Sequence, residues 1–238
     1  MIDADRFATD PTPPRGRDAW RDVGVRLAAP VVLLWLAVVG VGLLLTGPLS
    51  GLGAREQTVN EWFVAQRTTT FDAITLWWSD LGTTVTVIGV AVLAVALLWW
   101  RTRQWWYAIV PALAVGAQAS VFVLAALVVG RDRPEVPQLD QAPPTSSFPS
   151  GHTGAATALY VTLALAAQRI RRTWLRVVVT VVLLLLPVLV GYARLYRGMH
   201  HVSDVVVGAL NGLVCALLAW HYLRRSRGPL ADTTEGSP

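Results

Sequence analysis

Six long apolar runs dominate the chain: Leu27–Thr46, Leu81–Trp100, Trp105–Gly130, Thr153–Gln168, Val177–Ala193 and Val202–Trp220. Most come close to the ~20 residues that a helix needs to cross a bilayer; the fourth and fifth are the shortest. Of the 238 residues, 54% are hydrophobic and only 15% are charged, and the mean hydropathy is +0.49. An ordinary soluble domain carries roughly 25% charged residues, so a water-soluble globule is excluded. Within a bilayer each backbone N–H and C=O must find its partner inside its own segment, which makes the runs helices. The expected fold is all-α, a polytopic membrane protein with six transmembrane helices.

Charge sets the expected orientation. All 20 basic residues are arginine, with a net charge of +5. With the N-terminus in the cytoplasm, six crossings place fourteen of them inside: Arg6, Arg15, Arg17, Arg21 and Arg26, then Arg101 and Arg103, then Arg169, Arg171, Arg172 and Arg176, then Arg224, Arg225 and Arg227. This asymmetry is the one that membrane insertion favours. It accounts for the basic balance at the span ends, where anionic lipid can be met. No basic stripe with interleaved aromatics remains for nucleic acid. Both termini are expected in the cytoplasm and the protein in the plasma (inner) membrane.

The chain divides into a head over residues 1–26, a six-helix membrane domain over 27–223 and a tail over 224–238. The Asp/Pro/Arg-rich head and the polar tail read as disordered and cytoplasmic. The first run is too long for a signal-peptide core and reads as a mature span. Cys215, the single cysteine, cannot form an intrachain disulfide and reads as a small buried hydrophobe. Glu56–Leu81 mixes Trp62, Phe63, Phe71, Trp77 and Trp78 with Asn60, Glu61, Arg67, Asp72 and Asp80, too polar to span. Amphipathic helices on the outer interface suit it, as does a loop packed over the bundle. Trp99, Trp100, Trp105 and Trp106 flank a short arginine turn as an inner aromatic belt. Pro111 and Pro187 are expected to kink their helices.

Three clusters share the outer face. The loop from Arg131 to His152 is long enough to suggest function, and it opens with Arg131 and Arg133. It closes on Pro149-Ser150-Gly151-His152, leading straight into an apolar helix. Ser150 is an N-cap type, Gly151 allows close backbone approach, and a helix start built this way suits a phosphate, with His152 able to donate a proton. The same residues also suit a plain capped helix with an exposed histidine. The third cluster, Arg194 to Asp204, opens the last span. If helical from about His200, its i, i+4 spacing sets the Asp204 carboxylate beside the His200 imidazole. That pairing serves either to satisfy a carboxylate at a membrane helix end or to activate His200 as a covalent nucleophile. His201 would point away, to solvent or headgroups. Arg131, Arg133, Arg194 and Arg197 give four guanidiniums able to grip phosphoryl oxygens, with headgroup anchoring the default for Arg197.

Arg133-Pro134, then Pro149-Ser150-Gly151-His152, then Arg194 with His200 and Asp204, resemble the three-part signature of the type 2 phosphatidic acid phosphatase (PAP2) superfamily of membrane lipid phosphate phosphatases. The resemblance implies a PAP2-like bundle and a metal-independent, cofactor-free phosphatase. In it His200 attacks phosphorus with Asp204 orienting it, His152 protonates the leaving alcohol, and Arg133, Ser150, the Gly151 amide and Arg194 hold the phosphoryl oxygens. Arg131 is a further candidate phosphate ligand. The substrate would be a lipid phosphate or diphosphate met at the outer membrane face: a polyprenyl diphosphate, phosphatidic acid or phosphatidylglycerol phosphate. Two positions depart from the family pattern: Ala126 stands where its lysine would be, and Ala193 where a serine often precedes the arginine. A phosphotransferase using the same site, and a non-catalytic lipid-binding or transport protein, are the competing readings.

Overall fold

The computed structural model describes residues 13–142 and 144–222, and all regular structure among them is helical. The chain runs through α1 (Gly16–Val23), a π-helical turn (Gly24–Ala28), α2 (Ala29–Thr46), α3 (Gly51–Ala65), α4 (Thr69–Asp80), α5 (Thr84–Thr102), α6 (Trp105–Ala108), α7 (Val110–Val129), α8 (Gly151–Ala167), α9 (Thr173–Tyr196) and α10 (Val202–His221). Much of the expected disordered head is therefore helical. Gly16 to Thr46 runs on as one continuous helical element, charged at its start and apolar beyond Leu27, with Ala19 and Leu27 packed in a core cluster with Trp106 and Trp220. Residues 1–12 and the tail beyond Tyr222 lie outside the described residues. Pro30 cannot donate to the carbonyl four residues back, and the wide turn just upstream accommodates the lost bond.

Five elements are long and apolar enough to cross a membrane: Gly16–Thr46, Thr84–Thr102, Trp105–Val129, Thr173–Tyr196 and Val202–His221. The expected fourth span is α8, whose 17 residues reach about 26 Å at 1.5 Å per residue, short of a bilayer core. α8 is central, packed against α5, α7, α9 and α10, and none of its residues is exposed. Outer helices do the reverse. Val85, Ile88, Val92 and Leu93 of α5, and Val177, Val181, Leu185 and Val188 of α9, turn large apolar side chains outward, the surface of a helix solvated by lipid.

Small residues draw α10 onto α8. A Cβ on Gly208 would stand 2.5 Å from the Ser150 carbonyl oxygen, and one on Gly212 would stand 2.3 Å from that of Gly154. The two glycines are four residues apart, the spacing that lets membrane helix backbones touch. The Ser150 N–H donates to the Asp204 carbonyl at 2.9 Å, so the first turns of both helices are joined directly.

The polar, aromatic stretch before α5 forms the two short helices α3 and α4, with Trp62 and Trp77 exposed. They are pinned over the ends of α9 and α10. Arg67 donates to the Tyr196 carbonyl at 2.9 Å, the Tyr196 hydroxyl donates to Asp72 at 2.8 Å, and Phe71 packs edge-on to Tyr192 and Tyr196. At the opposite end Trp99, Trp100 and Trp105 are exposed as an aromatic belt requires, whereas Trp106 is buried in the core.

Because the Gly208 contact is with backbone, Gly208→Ala must push the two helices apart. Thermal unfolding in detergent is expected to fall by several degrees relative to Gly89→Ala, a helix position with open space around it.

Candidate active site

Both histidines of the outer clusters reach one cavity. His152, in the first turn of α8, and His200, in the loop before α10, line a space of about 530 Å³ together with Arg133, Asp140, Arg194 and Gly151. Ser150 caps α8 as its residue type suggests: its backbone is extended, and its hydroxyl accepts from the Thr153 N–H at 3.5 Å and bonds Thr153 Oγ1 at 3.0 Å. The hydroxyl is wholly buried there and off the cavity wall. At Gly151 a Cβ would meet the Phe122 ring at 2.8 Å, so glycine is needed for that ring to lie against the helix start.

His200 is held differently from the simple i, i+4 expectation. α10 starts at Val202, two residues later than that expectation assumes, and His200 Nδ1 stands 3.8 Å from Asp204 Oδ2, beyond hydrogen-bond reach. Nδ1 bonds instead to the Ser147 carbonyl at 2.8 Å. A carbonyl only accepts, so Nδ1 carries the hydrogen and the neutral ring keeps its lone pair on Nε2. Burial pushes the imidazole below its ordinary pKa; Asp204 opposes that, and Arg194 and Arg133 add to it. Asp204 acts one step removed: the Ser147 hydroxyl donates to its Oδ2 at 2.6 Å, and the His201 N–H to the same oxygen at 2.8 Å. Asn60 of α3 donates to the His200 carbonyl at 3.1 Å.

Of the four arginines, two reach the cavity. Arg133 donates to the Met199 carbonyl at 2.7 Å, beside His200. Arg194 donates from Nη1 to Ser79 and to Asp140, both at 2.8 Å, and its buried Nε has no partner. Arg131 does not line the cavity. It lies buried between Asp204 Oδ1 at 2.6 Å and Glu56 Oε2 at 2.7 Å, and donates to Ser203 at 2.6 Å. Its charge is engaged in neutralising two carboxylates, which corrects its reading as a phosphate ligand. Arg197 is not a headgroup anchor either. It is buried, gripping Asp140 at 2.6 Å and donating to the Asp72 carbonyl at 2.9 Å. His201 is likewise buried rather than turned to solvent.

Four residues with no signal in the sequence hold the cavity's side chains in place: Asp140, Ser147, Glu56 and Asn60. Burial alone would raise the Asp140 carboxyl, but Arg197 and Arg194 outweigh it and hold it below the usual carboxylate range. Asp140 thereby locks both arginines at the cavity edge. Nothing in local spacing marks these residues, because each acts on a group 50 or more positions away. Among the described residues no group of three or more His, Cys, Asp or Glu side chains is placed to share a metal ion. The positive charge facing the cavity comes from guanidiniums.

The profile of the PAP2 superfamily matches residues 106–227, just over half of the chain and the part that carries the whole constellation except α3 and α4. The chain belongs to the PAP2 superfamily and is an integral membrane protein. Its fold is similar to that of the first transmembrane PAP2 type phosphatidylglycerolphosphate phosphatase from Bacillus subtilis. That comparison gives a TM-score of 0.69 at 21% identity, covering 80% of this chain and 92% of the other. It is also similar to Aquifex aeolicus LpxE, with a TM-score of 0.54 at 23% identity over 70% of this chain and 92% of that one. No curated protein sequence matches the chain.

The different surroundings of Arg131 and Arg133 separate their roles. Arg131→Met strands the buried Asp204 and is expected to cost roughly 3 kcal/mol or more of stability, read as a large fall in thermal unfolding temperature. Arg133→Met, which gives up only a bond to the Met199 carbonyl, is expected to unfold near the wild-type temperature.

Proposed function

We propose that this protein is a membrane phosphatase that hydrolyses a lipid phosphate or diphosphate through a phosphohistidine. The observation that carries the reading is the convergence of His152, His200, Arg133 and Arg194 on one cavity from three separated stretches of chain. His200 Nε2 attacks phosphorus, and the P–O bond to the lipid breaks as His152 gives its proton to the departing oxygen. Arg133 and Arg194 hold the phosphoryl oxygens where charge builds, a fixed electrostatic stabilisation that needs no reorganisation during the step. Water then attacks the phosphohistidine, with His152 now taking its proton. Ser147 and Asp204 keep the ring oriented with its lone pair toward the cavity.

The named function of the Bacillus subtilis relative makes phosphatidylglycerol phosphate a natural first substrate to assay, with phosphatidic acid and polyprenyl diphosphates beside it. Apolar residues on the same cavity, Val87, Ile88, Val115 and Val123 of α5 and α7, suit a lipid chain over a soluble ester. Sidedness follows from charge: Arg101 and Arg103 close α5, and Arg169, Arg171 and Arg172 follow α8, at the ends of those helices away from His152. With those clusters inside, the cavity opens at the outer leaflet.

Purified protein in detergent is expected to release phosphate from at least one of these lipids with and without EDTA, and His200→Ala to reduce release by about 10³-fold or more, as for loss of a covalent nucleophile. Equal release by wild type and His200→Ala would remove the reading. For orientation, a cysteine introduced at exposed Gln138 is expected to react with an impermeant thiol reagent on intact cells, and one at exposed Arg172 only after permeabilisation. Buried Cys215 is expected to stay silent.

A further inference from the structure

The cavity is cationic at one end only. Arg133 and Arg194 meet His152 and His200 there, and they are the only arginines among the described residues that line it. Much of their donor capacity is already used within the protein. Arg194 gives Nη1 to Ser79 and Asp140, and Arg133 gives Nη1 to the Met199 carbonyl. What remains is the buried, unpaired Nε of Arg194, the rest of the Arg133 fork and the leading N–H groups of α8, a set that suits the oxygens of a single phosphoryl group. Asp140 offsets part of the arginine charge. Asp80, a further carboxylate of the lining, makes no ion pair among the described residues.

Away from that end the wall turns apolar. The turn between α4 and α5 is set against the start of α8, since a Cβ on Gly82 would stand 2.9 Å from the His152 carbonyl oxygen. From there α5 runs into the membrane with Val87 and Ile88 on the cavity. On α7 the Phe122 ring lies level with Gly151, 2.8 Å from where a Cβ would stand. Ala119 and Val115 continue the same face of α7 more deeply. Val115 is about 10 Å below Phe122 at 1.5 Å per residue. Ile88 and Val123 line the cavity and are exposed as well, so this end meets lipid. The neutral Thr84, at the start of α5, is the polar group on that side, and Ala126, one turn above Phe122, adds no cation.

We infer that the site selects lipid phosphomonoesters over lipid diphosphates, because the inner phosphate of a diphosphate would stand beside Phe122 and Ala119 with no cation to meet it. This rests on the phosphatase reading above and narrows its substrate class. The outer phosphate is held by Arg133, Arg194 and the start of α8, and the chain lies along Val87, Ile88 and Val115. The group that joins the two passes the Phe122 ring. In a monoester that group is carbon. In a diphosphate it is a second phosphoryl group with a further negative charge, which would leave water for an apolar wall and the unpaired Asp80 carboxylate. A charge moved into such surroundings without a partner is strongly disfavoured, and leaving the wrong ligand's charge unpaired is a general route to specificity.

The test uses full-length wild type in detergent, hydrolysing dioctanoyl phosphatidic acid, with two competitors that carry the same chain: farnesyl phosphonate and farnesyl methylenediphosphonate. Their P–C bonds are not cleaved, so the inhibition constants read fit without the different reactivities of ester and anhydride. The phosphonate is expected to inhibit about tenfold or more tightly, the scale of one buried polar group left unpaired. Equal inhibition by the two, or tighter inhibition by the diphosphonate, overturns the inference. Ala119→Arg sets a guanidinium on the apolar wall and is expected to bring the two constants together; a ratio that stays at its wild-type value overturns the inference too. If Ala119→Arg does not fold, Thr84→Arg brings the charge from α5, with the same expected effect. Phosphate release from farnesyl diphosphate but not from phosphatidic acid overturns the inference and leaves the phosphatase reading standing. Release from neither removes the phosphatase reading, and this inference with it.

Discussion

A carboxylate with no access to water, Asp204, organises the outer end of the molecule. Burying such a charge near the end of a membrane helix is tolerable only when its lone pairs are met and a cation stands close. Here Arg131 supplies the charge, and the Ser147 hydroxyl and the His201 N–H supply the remaining bonds. Each donor comes from a different turn of the chain, so meeting the needs of one carboxylate folds the loop between α7 and α8 down onto the start of α10. The Ser147 carbonyl, carried in with its hydroxyl, then takes the His200 Nδ1 hydrogen. The orientation of the proposed nucleophile is thus a by-product of neutralising Asp204.

A second carboxylate does the same for the cations. Asp140 bonds Arg194 and Arg197 together, and Ser79 of α4 holds Arg194 from the other side. A cluster of unpaired guanidiniums would repel itself, and long side chains would wander; tied to Asp140, Arg194 faces the cavity with little entropy left to lose on meeting a phosphate. The interfacial helices belong to this machinery. α3 sends Glu56 to Arg131 and Asn60 to the His200 carbonyl, and the turn before α4 sends Arg67 to Tyr196. What reads from the sequence as a polar covering layer is also the second support of the site.

Much of this was legible from residue order. Apolar run lengths located the spans, and Ser150 capped α8 as its type and position require. The Arg133, His152, Arg194 and His200 positions converge as the motif spacing implies. The differences between pattern and structure share one cause. Charge at a membrane edge looks alike in one dimension, so the pattern does not separate Arg131 and Arg197 from Arg133 and Arg194, whereas the partners Glu56 and Asp140 are 75 and 57 residues away. The i, i+4 pairing of His200 with Asp204 requires a helix that begins two residues sooner, and a helix boundary is what local pattern defines least well. α8 is marginal as a span when its length is set against lipid, while its actual surroundings are four other helices.

By itself the sequence determined that the chain is a helical membrane protein, where its helices lie, and which few polar residues are set at one membrane face, because hydrophobic run length, capping and charge are local properties. Tertiary structure alone decided which arginines face the cavity and which are consumed by carboxylates, and that Ser147 stands between Asp204 and His200. Those outcomes depend on which backbones can touch. Gly208 and Gly212 bring α10 against α8 closely enough that the partner of each buried polar group is set by packing rather than by its neighbours in the chain.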